Sequence, residues 1–386
     1  MTTSASGNLW DVAWRNAEAM TNAGQEPRRH HLLPRFYLQR WAVEDRVRVI
    51  DLERNRNAYE TAPERAAIET DFYRLPEAKG MSPVYWEAWL SQVEGHAASA
   101  FEVLDTDRPG DLDEEQHQWL ALFLAVQMTR GRKAREKRRA MLAEEITQIL
   151  EAYGPESLAD ELRQGDLFAY SDEDPLEAIM ADVERFRADP SQLPLTREQD
   201  LEAFAHTATH IAGLFTTRHF AIYKTRRALI TSDEPMVELH EDMAAPALWG
   251  GVWGAPIFAF PISPYRVAAF YRRDIEPQQP GSTLSIEETV DLNSALLANA
   301  HSFAVARPGD RIAERLFLPD APPSYRSSRH TNPEAETTLF RLWAPSRWEG
   351  RIDAPTRVVS RWWPPYVPPA SAPTDEEQQI IDAWEH

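Results

Sequence analysis

The 386-residue chain reads as an α+β protein, with a predominantly helical first half opened by a short helix and hairpin, then a small β-sheet region and a further helix. Three observations predict this. Long stretches before residue 218 repeat apolar residues at three-to-four spacing, whereas HFAIYKTRRALITSDEPMVEL and PIFAFPISPYRVAAFYRR carry short apolar runs bounded by Pro, Ser and Asp. Helical and strand segments come in blocks, which favours α+β over repeated βαβ units. Apolar residues at 43%, charged residues at 26%, 13 Trp and 15 Phe belong to a packed globular chain and argue against wholesale disorder.

In chain order, residues 1–27 form a polar N-terminal extension. Pro34 suits the first turn of a short helix over 34–42, and VRVIDLERNR is a strand entering a turn. The run from 83 to 104 has Leu90, Ala97 and Phe101 at helical spacing behind Pro83. A longer helix starts at Asp113, runs through EEQHQWLALFLAVQM and continues into the basic TRGRKAREKRRA before MLAEEITQIL. The acidic, proline-punctuated segment 171–199 is short helices and loops. Leu201, Phe204, Ala208, Ile211 and Phe215 mark a helix over 197–218. Strands follow, then the helix IEETVDLNSALLANAHSFAVA. Residues 28–320 make one α+β domain, and 321–386 a Pro/Trp-rich tail that wraps it.

The net charge of −20 repels phosphate backbones on average, so broad nucleic-acid binding and attraction to anionic membranes are disfavoured. With no cysteine, disulfides, thiolate nucleophiles and cysteine-ligated metals are excluded, and any metal falls to His, Asp and Glu. The N-terminal residues lack the basic start and apolar run of a signal peptide, and no stretch is long and apolar enough for a membrane helix. The expected location is the cytoplasm.

Several polar residues stand where apolar ones are expected. His31 lies just ahead of the helix at Pro34, where the positive end of the helix dipole disfavours imidazolium; a neutral imidazole can bind metal, accept a proton or simply hydrogen-bond its own turn. His30 would point elsewhere if the local chain is extended. Tyr37 shares a packing face with Pro34, Leu38 and Trp41. Glu94 falls between Leu90 and Ala97, either inside an apolar stripe or at its margin; a buried carboxylate there must be paired, protonated or metal-bound. Gln127 and Arg130 continue the face of Leu120, Phe123 and Leu124, and Arg130 offers a fixed fork for carboxylate or phosphate. The basic run Arg132, Lys133, Arg135, Lys137, Arg138, Arg139 reads as a solvated face paired with acidic neighbours. His206 and His210 have the i, i+4 spacing of zinc ligands, but Thr207 stands where zinc peptidases carry glutamate, and an exposed polar face explains the pair. In ALITSDEPMV, a strand ends in Thr231, Ser232 and Asp233 before Pro235, presenting a hydroxyl and a carboxylate either to a site or to a local turn. FPISP has the same dual reading.

Together these pieces resemble the bacterial family of unknown function numbered 4238. The resemblance rests on His31, Pro34, Tyr37 and Leu38 in HLLPRFYL, on Asp71, Phe72 and Tyr73 in DFY, on Glu94, on Gln127 and Arg130 in QMTR, on Ser232, Asp233 and Pro235 in TSDEP, and on Pro261, Ser263 and Pro264 in PISP. It covers about residues 28–310 and departs from the usual pattern at Leu32, Trp41 and Glu234. It implies that the anomalous polar residues converge, and it supplies no activity.

Two functional readings follow. In the first, the chain is a metal-assisted hydrolase of a phosphoester or similar anionic bond: His31, Glu94 and Asp233 are catalytic groups and ligands for manganese, zinc or iron, Arg130 steadies negative charge, and Gln127, Ser232 and Tyr37 bind substrate. In the second, the chain is noncatalytic, and the same polar cluster recognises a small ligand or a protein partner, or is a buried structural network.

Overall fold

The computed structural model of the chain describes residues 5–75, 82–106, 112–165, 168, 170–239, 251–321, 325–332 and 337–343, with isolated positions beyond. The α+β architecture is present, with the helical half first. Helix α1 (Ala5–Asn22) comes before the short strand β1 (Arg29–His31) and the five-residue helix α2 (Arg35–Gln39). The hairpin β2 (Val47–Asp51) and β3 (Asn57–Thr61) and the strand β4 (Ile68–Thr70) follow. Next come α3 (Tyr85–Leu104), α4 (Glu114–Thr129), α5 (Arg132–Gln164), α6 (Leu176–Ala188) and α7 (Arg197–Thr216).

The second half begins with β5 (His219–Thr225), β6 (Thr231–Ser232) and β7 (Val237–Leu239), then a short helix α8 (Gly251–Gly254) and the hairpin β8 (Ile257–Ser263) and β9 (Arg266–Tyr271). After β10 (Thr283–Leu284) come α9 (Ile286–Asn299), β11 (Phe303–Ala306) and α10 (Ile312–Arg315), then the paired β12 (Arg326–Asn332) and β13 (Thr337–Trp343).

Local chemistry sets several boundaries. Asp113, Thr196 and Ser285 each accept from the backbone N–H three residues on, and the side chain at that third position (Gln116, Gln199, Glu288) bonds back, so α4, α7 and α9 start at reciprocal capping boxes. The helix expected from Asp113 into MLAEEITQIL is instead two: Gly131, in extended conformation, separates α4 from α5. A further break inside α5 falls at Gly154, where φ is +84°, and Pro155. The 1–27 extension is largely α1, because Leu9, Ala13 and Ala17, at i, i+4 and i+8, bury a stripe that packs on α3.

Two sheets organise the second half. One runs β10-β5-β9-β8-β7, with β10–β5 parallel and the other pairings antiparallel; the other runs β3-β2-β11-β6. In the latter, Asp51 pairs with Phe303 and Val49 with Val305, so the N-terminal hairpin is part of a sheet closed by residues 250 positions later. Helix α2 is pinned to both sheets by polar atoms: the Tyr37 hydroxyl donates to the Pro261 carbonyl at 2.7 Å and lies 2.8 Å from Thr231 Oγ1, and the Trp41 indole donates to Leu229 O at 2.8 Å. Around it the rings of Phe36, Phe101, Phe123 and Phe260 meet edge-on or tilted.

The basic run at the start of α5 is turned partly inward. Arg135 and Arg138 both bind the buried Asp200 on α7 and Arg135 lies over the Phe72 ring at 3.6 Å, so these two are packed between elements, whereas Arg132, paired with Glu69 on β4, stays 40% exposed; the expected pairing with acidic residues holds, and the solvated face holds only in part. Among the described residues no helix is long and apolar enough to cross a membrane. Much of the tail expected to wrap the domain from 321 to 386 lies outside the described residues. Within it, Arg347 donates to the carbonyls of Ala298 and Ala300, and the buried Trp348 packs against Phe317.

Candidate functional site

Arg130, whose side chain is 2% exposed, caps the C-terminal end of α4. Its Nε donates to Leu32 O at 2.8 Å, Nη2 to His31 O at 2.7 Å and Nη1 to Glu94 Oε1 at 2.9 Å, and its guanidinium lies 5.8 Å from the centre of the Tyr73 ring. One cation therefore ties the end of β1 to α3 and α4. Burial opposes its charge, but Tyr73, Glu94 and Glu87 around it raise its pKa, so it stays protonated.

The groups around this clamp are unusual in what they lack. Gln127, one turn earlier on α4, is 1% exposed, and neither its Oε1 nor its Nε2 has a hydrogen-bond partner. The buried hydroxyl of Tyr73 has none, and neither has the buried Nε2 of His31. Each such group costs about 1–3 kcal/mol when left dry and unpaired. Burial pushes the Tyr73 hydroxyl up to about 12 and lowers the His31 pKa, the latter opposed by a hydrogen bond to the Glu64 backbone. Burial thus disfavours the charged form of His31.

Two carboxylates of α3 complete the cluster. Glu94 is a quarter exposed and sits at the margin of the apolar stripe, where burial raises its pKa and the ion pair with Arg130 pulls it back. Glu87, two turns earlier on the same helix face, is pushed up to about 7 by burial and by Glu94. The cluster thus places an acid of raised pKa beside an ion pair, and both carboxylates are only half-buried, so it reaches solvent through them.

His30 is the better-anchored of the two histidines. It is fully buried, its Nδ1 accepts from Tyr73 N–H at 2.7 Å and its Nε2 donates to Pro27 O at 3.1 Å, which fixes a neutral tautomer and places Tyr73.

Ser232 and Asp233 belong to a second cluster. The Asp233 carboxylate accepts from the backbone N–H of His301 at 2.9 Å and Ser302 at 2.6 Å, tying β6 to the segment entering β11. Ser232 Oγ accepts from Glu234 N–H at 3.2 Å, a local turn. Glu234 is buried, takes the Lys133 backbone N–H at the start of α5, keeps Oε1 without a partner, and is pushed up to about 8 by burial and Asp233. Asn299 completes this junction: its Nδ2 donates to Glu234 O and Met236 O, and its Oδ1 accepts from Lys133 Nζ at 2.7 Å.

The structure therefore brings His31, Glu94, Gln127 and Arg130 to one region and holds Ser232, Asp233 and Tyr37 by hydrogen bonds elsewhere. The Asp233 carboxylate is taken up by the backbone N–H groups of His301 and Ser302, and Glu94 by Arg130. The turn Arg130–Gly131–Arg132–Lys133 joins the two clusters, and Glu53, bound by both Arg132 and Ser302 Oγ, lies between them as well. The His206/His210 pair has an exposed and a half-buried member. Sequence reading missed Glu87, whose i+7 relation to Glu94 was visible, and Tyr73 as a site group. It also missed Lys133 and Asn299, whose partners lie far along the chain.

The family model described as protein of unknown function (DUF4238) matches residues 29–310, which contain both clusters. No curated protein and no solved structure gives a match. With nearly three quarters of its length matched, the chain belongs to the DUF4238 family of proteins of unknown function.

Proposed function

We propose that this chain is a small-ligand-binding domain whose recognition site is the cluster around Arg130, taking an uncharged ligand that offers both a hydrogen-bond donor and an acceptor. The observation that carries this reading is Gln127, one turn before Arg130: a buried carboxamide with two donors and an acceptor unused, while the Tyr73 hydroxyl and His31 Nε2, both close enough to Arg130 to feel its charge, are unused too. An uncharged ligand suits the site because the Arg130 charge is already met by Glu94 and two carbonyls. The test is thermal shift of the purified chain with nicotinamide, uracil, adenine and urea. Stabilisation by one of them in the parent, absent in Gln127→Leu, supports the reading; equal stabilisation of both proteins contradicts it.

A second reading keeps hydrolysis of a phosphoester or similar bond, assisted by manganese, zinc or iron. What favours it is the pair Glu87 and Glu94 on one face of α3, the first pushed up to about 7 by burial and by Glu94, the second paired with Arg130. Calorimetric titration with each metal, and p-nitrophenyl phosphate turnover lost in Glu87→Gln, separate it from the first.

A further inference from the structure

Helices α1, α3 and α7 enclose an open groove of about 580 Å³, which shares no lining residue with either cluster. This lies within the usual range for small-molecule sites. Its walls are Trp10 from α1 and Tyr85 and Trp86 from α3, and its lip carries Gln199, Glu202 and His206 from α7. The Trp10 and Trp86 rings stand at 90° with centroids 6.0 Å apart, and Tyr85 and Trp86 at 80° and 5.2 Å, so aromatic surfaces turn in more than one direction around the groove. Trp86 is 2% exposed and its indole N–H has no hydrogen-bond partner. Trp10 lies outside the stretch matched by the family model, so the N-terminal helix supplies one wall to a surface whose other walls are family helices.

We propose that this groove binds a small organic cation with a methylated ammonium head, its methyl groups against Trp10, Tyr85 and Trp86 and its charge facing Glu202. A quaternary ammonium is weakly hydrated and gains from aromatic faces by cation–π attraction, whereas a primary amine would have to shed tightly held water. Glu202 is the carboxylate at the lip, and Asp11 on α1 lies near enough to Tyr85 to act on its hydroxyl, so the local field favours a cation over an anion. The chain's net charge of −20 adds a long-range bias in the same direction. An apolar neutral molecule would use the walls alike but ignore Glu202. That is the competing occupant the test must separate.

The experiment is isothermal titration of the full chain with choline and with tetramethylammonium, set against 3,3-dimethylbutan-1-ol, the uncharged carbon counterpart of choline. Saturable binding of the cations is expected, with the alcohol weaker by about tenfold or more. Glu202→Gln, a substitution at the exposed lip that leaves the core untouched, is expected to weaken choline by about three- to tenfold. Trp10→Leu keeps the wall apolar but removes its π face, and is expected to abolish choline binding while leaving that of the alcohol. Circular dichroism confirms that both variants are folded; if Trp10→Leu is not, Glu202→Gln decides. The proposal is overturned if the alcohol binds as tightly as choline, if folded Glu202→Gln binds choline like the parent, or if neither cation binds saturably at millimolar concentration.

Discussion

Arg130 Nη1 donates to Glu94 Oε1 at 2.9 Å while the same guanidinium holds the carbonyls of His31 and Leu32, so a single buried cation fixes the relation of β1, α3 and α4. Removing it leaves a carboxylate and two carbonyls without their donor. Arg130→Met is expected to cost about 3–5 kcal/mol in urea unfolding, whereas Glu94→Gln, which keeps an acceptor at a position still a quarter exposed, is expected to cost about 1 kcal/mol. Equal losses would contradict the clamp.

Glu87 makes a pH prediction. Its carboxyl is harder to ionise in the folded chain, at about 7, than the ordinary 4.5, so its contribution to stability is full below pH 4.5 and drains as pH rises to about 7. His30, His31 and His117, whose pKa values burial lowers, act oppositely as pH falls below 6.5. The difference between parent and Glu87→Gln isolates the acid: unfolding free energies measured at pH 4.5, 6 and 7.5 are expected to show the variant gaining on the parent across that interval. A constant difference would refute the assignment.

Gly131 is required by what stands beside it. A Cβ at this position would overlap Glu234 Oε1 and lie 3.0 Å from its Cδ, in a place where the backbone conformation itself suits any residue. Gly131→Ala is expected to destabilise by about 1–3 kcal/mol through overpacking, and Gly131→Ala with Glu234→Ala to recover part of that loss relative to Glu234→Ala alone. Strict additivity in the double-mutant cycle would mean that the two residues do not meet.

The sequence carried the α3 and α7 stripes and the β2 strand with its turn because those depend on neighbours within a few residues. It also isolated Arg130, Gln127 and Glu94 as polar interruptions of apolar faces, and of these Arg130 and Glu94 form an ion pair. What it could not carry were pairings across long separations: Asp233 with the backbone of His301 and Ser302, Lys133 with Asn299, Tyr37 with Pro261. The hydrogen bonds that hold Asp233 and Tyr37 join residues too far apart in the chain to be read from local pattern. The basic run looked solvated because Asp200, which binds two of its arginines, is more than sixty residues away.

Gln127 and Tyr73 decide whether the cluster is kept for a ligand or for the fold. In a structural network their polar atoms would be satisfied, through bound water if not directly, and removing them would destabilise. In a recognition site they are a standing cost to the ligand-free chain. Urea unfolding of Gln127→Leu and Tyr73→Phe in the absence of ligand is expected to give proteins at least as stable as the parent. A loss of more than about 1 kcal/mol in both would place these groups in the scaffold and contradict the recognition site.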